Sequence, residues 1–322
     1  MTTILDVQQL RTRFKTDYGQ VAVVDGVDFS IKEGETLGVV GESGCGKSVT
    51  SLSIMRLLAG NGASEGQILF KGNNLLDISE KQMQKIRGND IAMIFQEPMT
   101  SLNPLQTVGH QIEEAVLLHR KVSKKEAKER AIEMLKAVGM PRAGEIYGEY
   151  PHQLSGGMRQ RVMIAMAMSC EPKLIIVDEP TTALDVTIQA QILELMQKVK
   201  EETNTSIMLI THDLGVVAEM CDRVIVMYAG QVVEEAEKFE LFENPKHPYT
   251  VGLMNSIPEL SEEVEFLETI PGSVPLAHEM PKGCRFAPRC SKVMPICQEQ
   301  EPSLFKLDGQ KCRCWLYAEG DE

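Results

Sequence analysis

Short apolar runs that stop at glycines or acidic residues, separated by longer polar stretches, set the rhythm of this chain. Thr36-Leu37-Gly38-Val39-Val40 reads as a buried strand, Gly66–Phe70 and Ile91–Phe95 as two more, and Lys173–Val177, apolar after its lysine, and Ile207–Ile210 as buried ones too. Residues 4 to 35 follow another pattern. Ile4–Val7, Val21–Val24 and Val27–Ile31 are separated by turns such as Asp25-Gly26 and Lys32-Glu33-Gly34, which predicts an antiparallel hairpin set. Helical spacing predicts helices over Val49–Leu58, stopped by Ala59-Gly60, over most of Thr107–Gly139, and over Val162–Ser169. The mixture is that of an α/β protein.

Composition narrows the classes. The 322 residues are enough for one large domain with an appendage, and 43% hydrophobic with 25% charged residues describes an ordinary globular chain. A net charge of −13 argues against wrapping nucleic acid or lying on an anionic membrane by electrostatics. The charged run Arg120–Arg130 reads as a solvated helix face. No stretch approaches about 18 uninterrupted apolar residues, so no membrane span is expected. The opening MTTILDVQQLRTRF lacks the charged-then-apolar layout of a signal peptide, so the expectation is a protein kept in the cytoplasm.

The chemistry concentrates after the first buried strand. Gly41-Glu42-Ser43-Gly44-Cys45-Gly46-Lys47-Ser48 fits the phosphate-loop pattern. Glycines let successive backbone N–H groups turn toward phosphate oxygens, and the helix that follows aims its positive dipole end at the same anion. Lys47 adds a full charge toward the terminal phosphates, and the Ser48 hydroxyl is a Mg²⁺ ligand. Cys45, at a helix N-terminus, is expected to favour its thiolate and to react with N-ethylmaleimide unless ATP protects it. Tyr18, in a polar loop upstream, is either a platform for a purine base or a ring capping a sheet edge.

Further on, Leu154-Ser155-Gly156-Gly157-Met158-Arg159-Gln160-Arg161 places a serine and two glycines before a helix, a second anion-receptive terminus flanked by arginines. The plainer reading, a capped surface helix, accounts for Ser155 but not for two successive glycines. The apolar run Lys173–Val177 ends in Asp178-Glu179. In a phosphate-loop protein Asp178 holds Mg²⁺ through water and Glu179 polarises the attacking water. Strand side chains alternate, so the two roles divide between neighbours. His212 ends another buried strand, as a γ-phosphate contact or as a turn histidine satisfied by backbone.

Taken in order, these segments resemble the ATP-binding cassette (ABC) ATPases over about the first 240 residues. Walker A is Gly41–Ser48, the Q-loop glutamine Gln96, the signature Leu154-Ser155-Gly156-Gly157, Walker B Leu174–Asp178 with Glu179, the D-loop Ala183-Leu184-Asp185, and the switch histidine His212. The resemblance implies a RecA-like core with an antiparallel β subdomain and a helical subdomain at about 97–169. It implies ATP-binding residues Gly41 to Ser48 with Tyr18 on the adenine, Mg²⁺ at Ser48, Gln96 and Asp178, and catalytic Glu179, His212 and Gln96. Ser155, Gly156 and Gly157 would then bind ATP in trans across a dimer. Phe242–Thr250 resembles the element that follows the cassette in oligopeptide, dipeptide and nickel importers, and Met158 resembles their D-type subunit. That implies a heterodimer with an F-type ATPase, two permease subunits, an extracytoplasmic binding protein met only indirectly, and a peripheral place on the cytoplasmic membrane face.

Residues 241–322 hold the remaining puzzle, five cysteines: Cys284, Cys290, Cys297, Cys312 and Cys314. The spacings are not the close pairs of zinc ribbons. Thiolates on proline-punctuated loops suit an iron–sulfur cluster, with zinc, free thiols or a disulfide as alternatives. Related peptide-importer ATPases carry a comparable end associated with a [4Fe–4S] cluster. The resemblance implies Cys284, Cys290, Cys297 and Cys314 as ligands, Cys314 directly preceding Trp315-Leu316-Tyr317, while Cys312 is additional. Among other ABC classes, DNA-repair and chromosome proteins carry long coiled-coil or zinc-bearing insertions that this chain lacks. Translation-associated members usually carry two cassettes. A non-catalytic scaffold would be expected to lose Glu179 or His212. A nickel or other small-solute importer shares the whole architecture.

Overall fold

The computed structural model describes residues 2–96, 101–180, 186–256 and 269–318. In chain order its strands are β1 (Thr3–Thr16), β2 (Gly19–Lys32), β3 (Thr36–Val40), β4 (Gly62–Phe70), β5 (Asn73–Asn74), β6 (Ile91–Ile94), β7 (Leu174–Asp178), β8 (Ser206–Ile210), β9 (Arg223–Tyr228), β10 (Gln231–Glu237), β11 (Phe305–Leu307) and β12 (Gln310–Cys312). The chain divides into two compact units, one built mainly from residues 77–209 and the other from 5–31, 36–76 and 210–322.

In the first unit the strand order is β8-β7-β6, with β6 and β7 parallel in the register Ile91↔Leu174 to Ile94↔Val177. Every residue of β7 and β8 is buried, as a strand covered on both faces requires. The helical stretch expected from Thr107 to Gly139 is two helices, Val108–His119 and Lys124–Ala137. Ser123 causes the restart. Its hydroxyl accepts the Glu126 N–H (3.3 Å) while the Glu126 carboxylate accepts the Ser123 N–H (2.7 Å), a reciprocal cap on a new N-terminus. Two further helices follow, Gly156–Met168 and Val186–Thr203.

The second unit holds an antiparallel sheet in the order β2-β1-β4-β5 and a mixed run in the order β11-β12-β10-β9-β3. The hairpin set expected near the N-terminus is one long hairpin. Asp25-Gly26 does not break it; it lies inside β2, where Gly26 takes a φ of 67° and the Asp25 N–H donates to the Gly230 carbonyl (2.9 Å). β3 and β9 are parallel, and the helix Lys47–Met55 leaves the loop after β3. That helix stops three residues before the expected Leu58, because Arg56 takes a left-handed φ of 52° and turns its N–H back on Leu52 and Ser53.

The C-terminal segment is woven into this sheet. β12 pairs antiparallel with β10 (Glu234↔Cys312, Glu235↔Lys311, Ala236↔Gln310), and β11 pairs with β12. Glu234 is fully buried, and its carboxylate accepts the N–H groups of Lys246 (2.6 Å) and His247 (2.8 Å), which fixes the start of the helix Pro248–Asn255. His247 caps that helix with its Nδ1, which accepts the Tyr249 N–H (3.1 Å). No helix among the described residues is long and apolar enough to cross a membrane.

His247 makes this region sensitive to acid. Burial, with the Arg313 charge nearby, pushes its pKa from 6.5 down to about 3. A group depressed in the folded state gives its full stability above its unfolded pKa and loses it as the pH falls from there toward the folded value. Stability in urea titrations should therefore fall as the pH drops from about 6.5 toward about 3, by roughly 1 kcal/mol per pH unit at most, on account of His247. His247→Asn, which keeps an acceptor at the cap, should flatten that part of the profile, and an unchanged slope would assign the effect to another group.

Candidate functional site

The loop between β3 and the helix Lys47–Met55 has the geometry its glycines predict. Gly41, Gly44 and Gly46 have φ values of 150°, 83° and 102°. A Cβ on Gly41 would come within 2.2 Å of the Met227 carbonyl oxygen and 2.8 Å of the Cys45 sulfur. Lys47 is only 6% exposed, and its Nζ donates to the carbonyls of Gly41 (2.7 Å) and Glu42 (3.1 Å). Ser48 lies in the first turn of the same helix. Ser43 and Gly44 are exposed. His212, two residues past β8 and in the same unit as this loop, is exposed, and the neighbouring Thr211 N–H donates to the Val39 carbonyl (3.2 Å), two residues before Gly41. Asp213 then caps the helix Leu214–Met220 by accepting the N–H groups of Gly215 and Val216.

Cys45 departs from expectation. Its side chain is fully buried, and burial pushes its pKa up; the Lys47 charge beside it offsets only part of that cost. Burial thus works against the thiolate that a helix N-terminus would favour. Tyr18 stands in the two-residue turn between β1 and β2 and is 75% exposed. Its ring lies flat on His278, with centroids 4.2 Å apart and an interplanar angle of 3°.

In the other unit, Asp178 ends β7 and is buried, while Glu179 is half-buried with a left-handed φ of 47°. Gln96 Nε2 donates to Glu179 Oε2 (2.7 Å), so two of the three side chains expected to be catalytic are in direct contact. The residues Ala183, Leu184 and Asp185 lie outside the described residues. At the signature, Ser155 caps the helix Gly156–Met168 by accepting the Met158 N–H (3.3 Å), and Ser155 and Gly156 are exposed. Gly157 owes its lack of a side chain to packing, since a Cβ there would meet Ile188 Cγ2 at 2.8 Å. The flanking arginines hold the protein together: Arg159 donates to the Pro151 carbonyl (2.7 Å), and Arg161 to the Val138 carbonyl (2.7 Å) and Gln191 (2.8 Å).

The cysteines of the C-terminal segment separate by position. Cys284, Cys290, Cys297 and Cys314 line one cavity with His247, Phe286, Met294 and Trp315, whereas Cys312 is buried in β12 opposite Glu234. The Cys284 N–H donates to the Cys297 carbonyl (2.8 Å), which ties two of the thiol-bearing loops together. Burial pushes the thiol pKa values of Cys284 and Cys290 up and that of Cys314 to about 11, and the neighbouring thiols add to each rise. Among the described residues no three His, Cys, Asp or Glu side chains converge as one metal ion would need.

Two residues near the phosphate loop carried no signal in the sequence. Arg289 makes a bidentate ion pair with Glu42 (2.6 and 3.0 Å), and the Tyr249 hydroxyl accepts the Glu42 N–H (2.8 Å). Phe242–Thr250 was legible as an element, but nothing in it pointed at residue 42.

Residues 24–182 match the ABC transporter family, and residues 233–297 match the oligopeptide/dipeptide transporter C-terminal region. The chain is 56% identical over 322 residues to the oligopeptide transport ATP-binding protein AppD of Bacillus subtilis (strain 168), covering 99% of this chain and 98% of that one. It is 50% identical over 319 residues to the oligopeptide transport ATP-binding protein OppD of Haemophilus influenzae, covering 99% of each. Among solved structures, the dimeric post-hydrolysis state of the ATP-binding cassette MJ0796 bound to ADP and Pi matches with a TM-score of 0.66 at 30% identity, over 73% of this chain and 98% of that one.

The burial of Cys45 is directly testable. Brief N-ethylmaleimide treatment of native protein at neutral pH, followed by peptide mapping, should label Cys45 more slowly than in urea by at least about tenfold. Equal labelling in both states would show that the thiol is open to solvent.

Proposed function

The chain belongs to the ABC transporter family, and from that membership we infer that it is an ATP-hydrolysing subunit that powers uptake of oligopeptides or dipeptides through a membrane transporter. The observation that carries this reading is the loop Gly41–Ser48, where a buried lysine ammonium and a helix N-terminus address one place. Such a place suits a polyphosphate. In this proposal Gly41, Glu42, Ser43, Gly44, Cys45, Gly46 and Lys47 cradle the phosphates, and Tyr18 stacks on the adenine. Ser48, Gln96 and Asp178 offer oxygens to a Mg²⁺ ion, which would neutralise charge on the phosphates. Glu179 orients and polarises the attacking water, Gln96 holds Glu179, and His212 contacts the γ-phosphate. Ser155, Gly156 and Gly157 of one subunit complete the site of another, which the exposure of Ser155 and Gly156 permits.

The complex we propose pairs this D-type chain with an F-type ATPase, beneath two permease subunits, on the cytoplasmic face of the membrane. An extracytoplasmic peptide-binding protein delivers substrate, and neither peptide nor nucleic acid touches this chain. Residues 1–240 form the ATPase domain, with the helical subdomain at about 97–169 facing the permease, and residues 241–322 form the cysteine-rich extension.

We assign Cys284, Cys290, Cys297 and Cys314 to a [4Fe–4S] cluster, since these four thiols share one cavity with apolar walls while Cys312 stands apart. Bound there, the cluster would cross-link the loops as a structural staple.

Two experiments test these readings. Glu179→Gln should bind ATP as the wild type does and lose about 10²-fold or more in turnover, whereas Lys47→Ala should lose nucleotide binding itself. Normal turnover by Glu179→Gln would remove Glu179 from its role. Anaerobically purified protein should absorb broadly near about 400 nm and contain matching iron and sulfide. Cys314→Ser should abolish that absorbance and Cys312→Ser should keep it; the reverse would exchange the two ligands, and an iron-free wild type would end the cluster assignment.

A further inference from the structure

The extension grips the phosphate loop at Glu42, and does so twice. The Arg289 guanidinium lies along the Glu42 carboxylate with both nitrogens engaged, Nη1 to Oε2 at 2.6 Å and Nη2 to Oε1 at 3.0 Å. The Tyr249 hydroxyl accepts the backbone N–H of the same residue at 2.8 Å. All of these groups belong to one compact unit.

Neither contact is a loose surface pairing. Arg289 is buried, its Nε donates to the Pro271 carbonyl (2.8 Å), and its guanidinium lies over the Tyr228 ring at 5.7 Å. Tyr228, Tyr249 and Phe286 pack ring against ring behind it. An arginine fork held this way fixes direction as well as distance, which an ammonium would not do. Glu42 in turn lies within the lysine's acceptor set: the carbonyls of Gly41 and Glu42 are the ones that take the Lys47 Nζ. Fixing the side chain and the N–H of Glu42 therefore fixes the two carbonyls that aim the lysine.

We propose that Arg289, assisted by Tyr249, is a positioning residue for the phosphate loop, through which the C-terminal extension sets the affinity of this chain for ATP. The proposal rests on the reading of Gly41–Ser48 as the ATP site. Arg289 touches no reacting atom; it acts through Glu42.

The test is a fluorescence titration of the full-length protein with MANT-ATP and Mg²⁺, alongside steady-state ATPase kinetics and thermal unfolding. Arg289→Met keeps an apolar stem over Tyr228 and removes the fork, and it should weaken binding about tenfold. The effect should fall on KM for ATP, with kcat largely kept, which a general loss of folded protein would not produce. Arg289→Lys should recover little, because charge without the fork does not hold the carboxylate. Combining Arg289→Met with Glu42→Gln should weaken binding no further than the stronger single variant. Should Arg289→Met fail to fold, Tyr249→Phe decides: it keeps the ring packing, removes only the acceptor of the Glu42 N–H, and should weaken binding about threefold. Unchanged affinity in folded Arg289→Met or Tyr249→Phe, or fully additive effects of the Arg289 and Glu42 changes, would overturn the proposal. A wild type that does not bind MANT-ATP would instead overturn the ATP-site reading.

Discussion

A lysine ammonium withdrawn from water must be given acceptors, and the loop before the first helix is shaped by that demand. Lys47 finds them in the carbonyls of Gly41 and Glu42, which only a backbone folded back over its own helix start can offer. That fold needs glycine at Gly41, where a Cβ would collide with the Met227 carbonyl. It also brings the positive end of the helix Lys47–Met55 to the same place as a cation. Two positive sources at one point repel each other, so the arrangement costs stability as a resting structure and suits a multiply charged anion. The surroundings bear the cost: β9 supplies Met227 and Tyr228, and the extension anchors Glu42.

What was legible in the sequence was what local chemistry decides. The phosphate loop, the carboxylates ending β7 and the serine before the helix Gly156–Met168 are each specified within a few residues, and the structure places them on the expected elements. What was not legible depends on partners far along the chain. Arg289 meets Glu42 across 247 positions, and no periodicity marks either as the other's partner. The same holds for His278 on Tyr18 and for β12 against β10. Cys45 was misjudged for a related reason. Its place at a helix N-terminus is local, but its burial is tertiary, and desolvation outweighs the Lys47 charge.

The signature shows how a structural and a functional explanation divide one motif. Ser155 caps its helix, Gly157 makes room for Ile188, and the arginines fasten the helix to neighbouring segments. Folding alone thus accounts for more of these residues than their sequence suggested. It leaves an exposed helix N-terminus at Ser155 and Gly156, held rigid by those same contacts. A rigid, solvent-facing positive terminus is what recognition of a neighbouring subunit's phosphate requires, so the structural roles serve the proposed function.

The pair at the end of β7 carries this reasoning to the chemistry. Strand alternation separates the side chains of adjacent residues only while the strand lasts, and it ends at Asp178. Glu179 has already turned to a φ of 47°, a left-handed conformation that costs a residue with a side chain about 1–2 kcal/mol. The turn brings its carboxylate to Gln96, with which it shares a 2.7 Å hydrogen bond. Asp178 stays buried on the strand while Glu179 is half-exposed, so one carboxylate is suited to holding a fixed ion and the other to meeting water. The difference between the two carboxylates comes from a break in the strand. The backbone strain at Glu179 is offset by its neighbours and places its carboxylate where a regular strand would not.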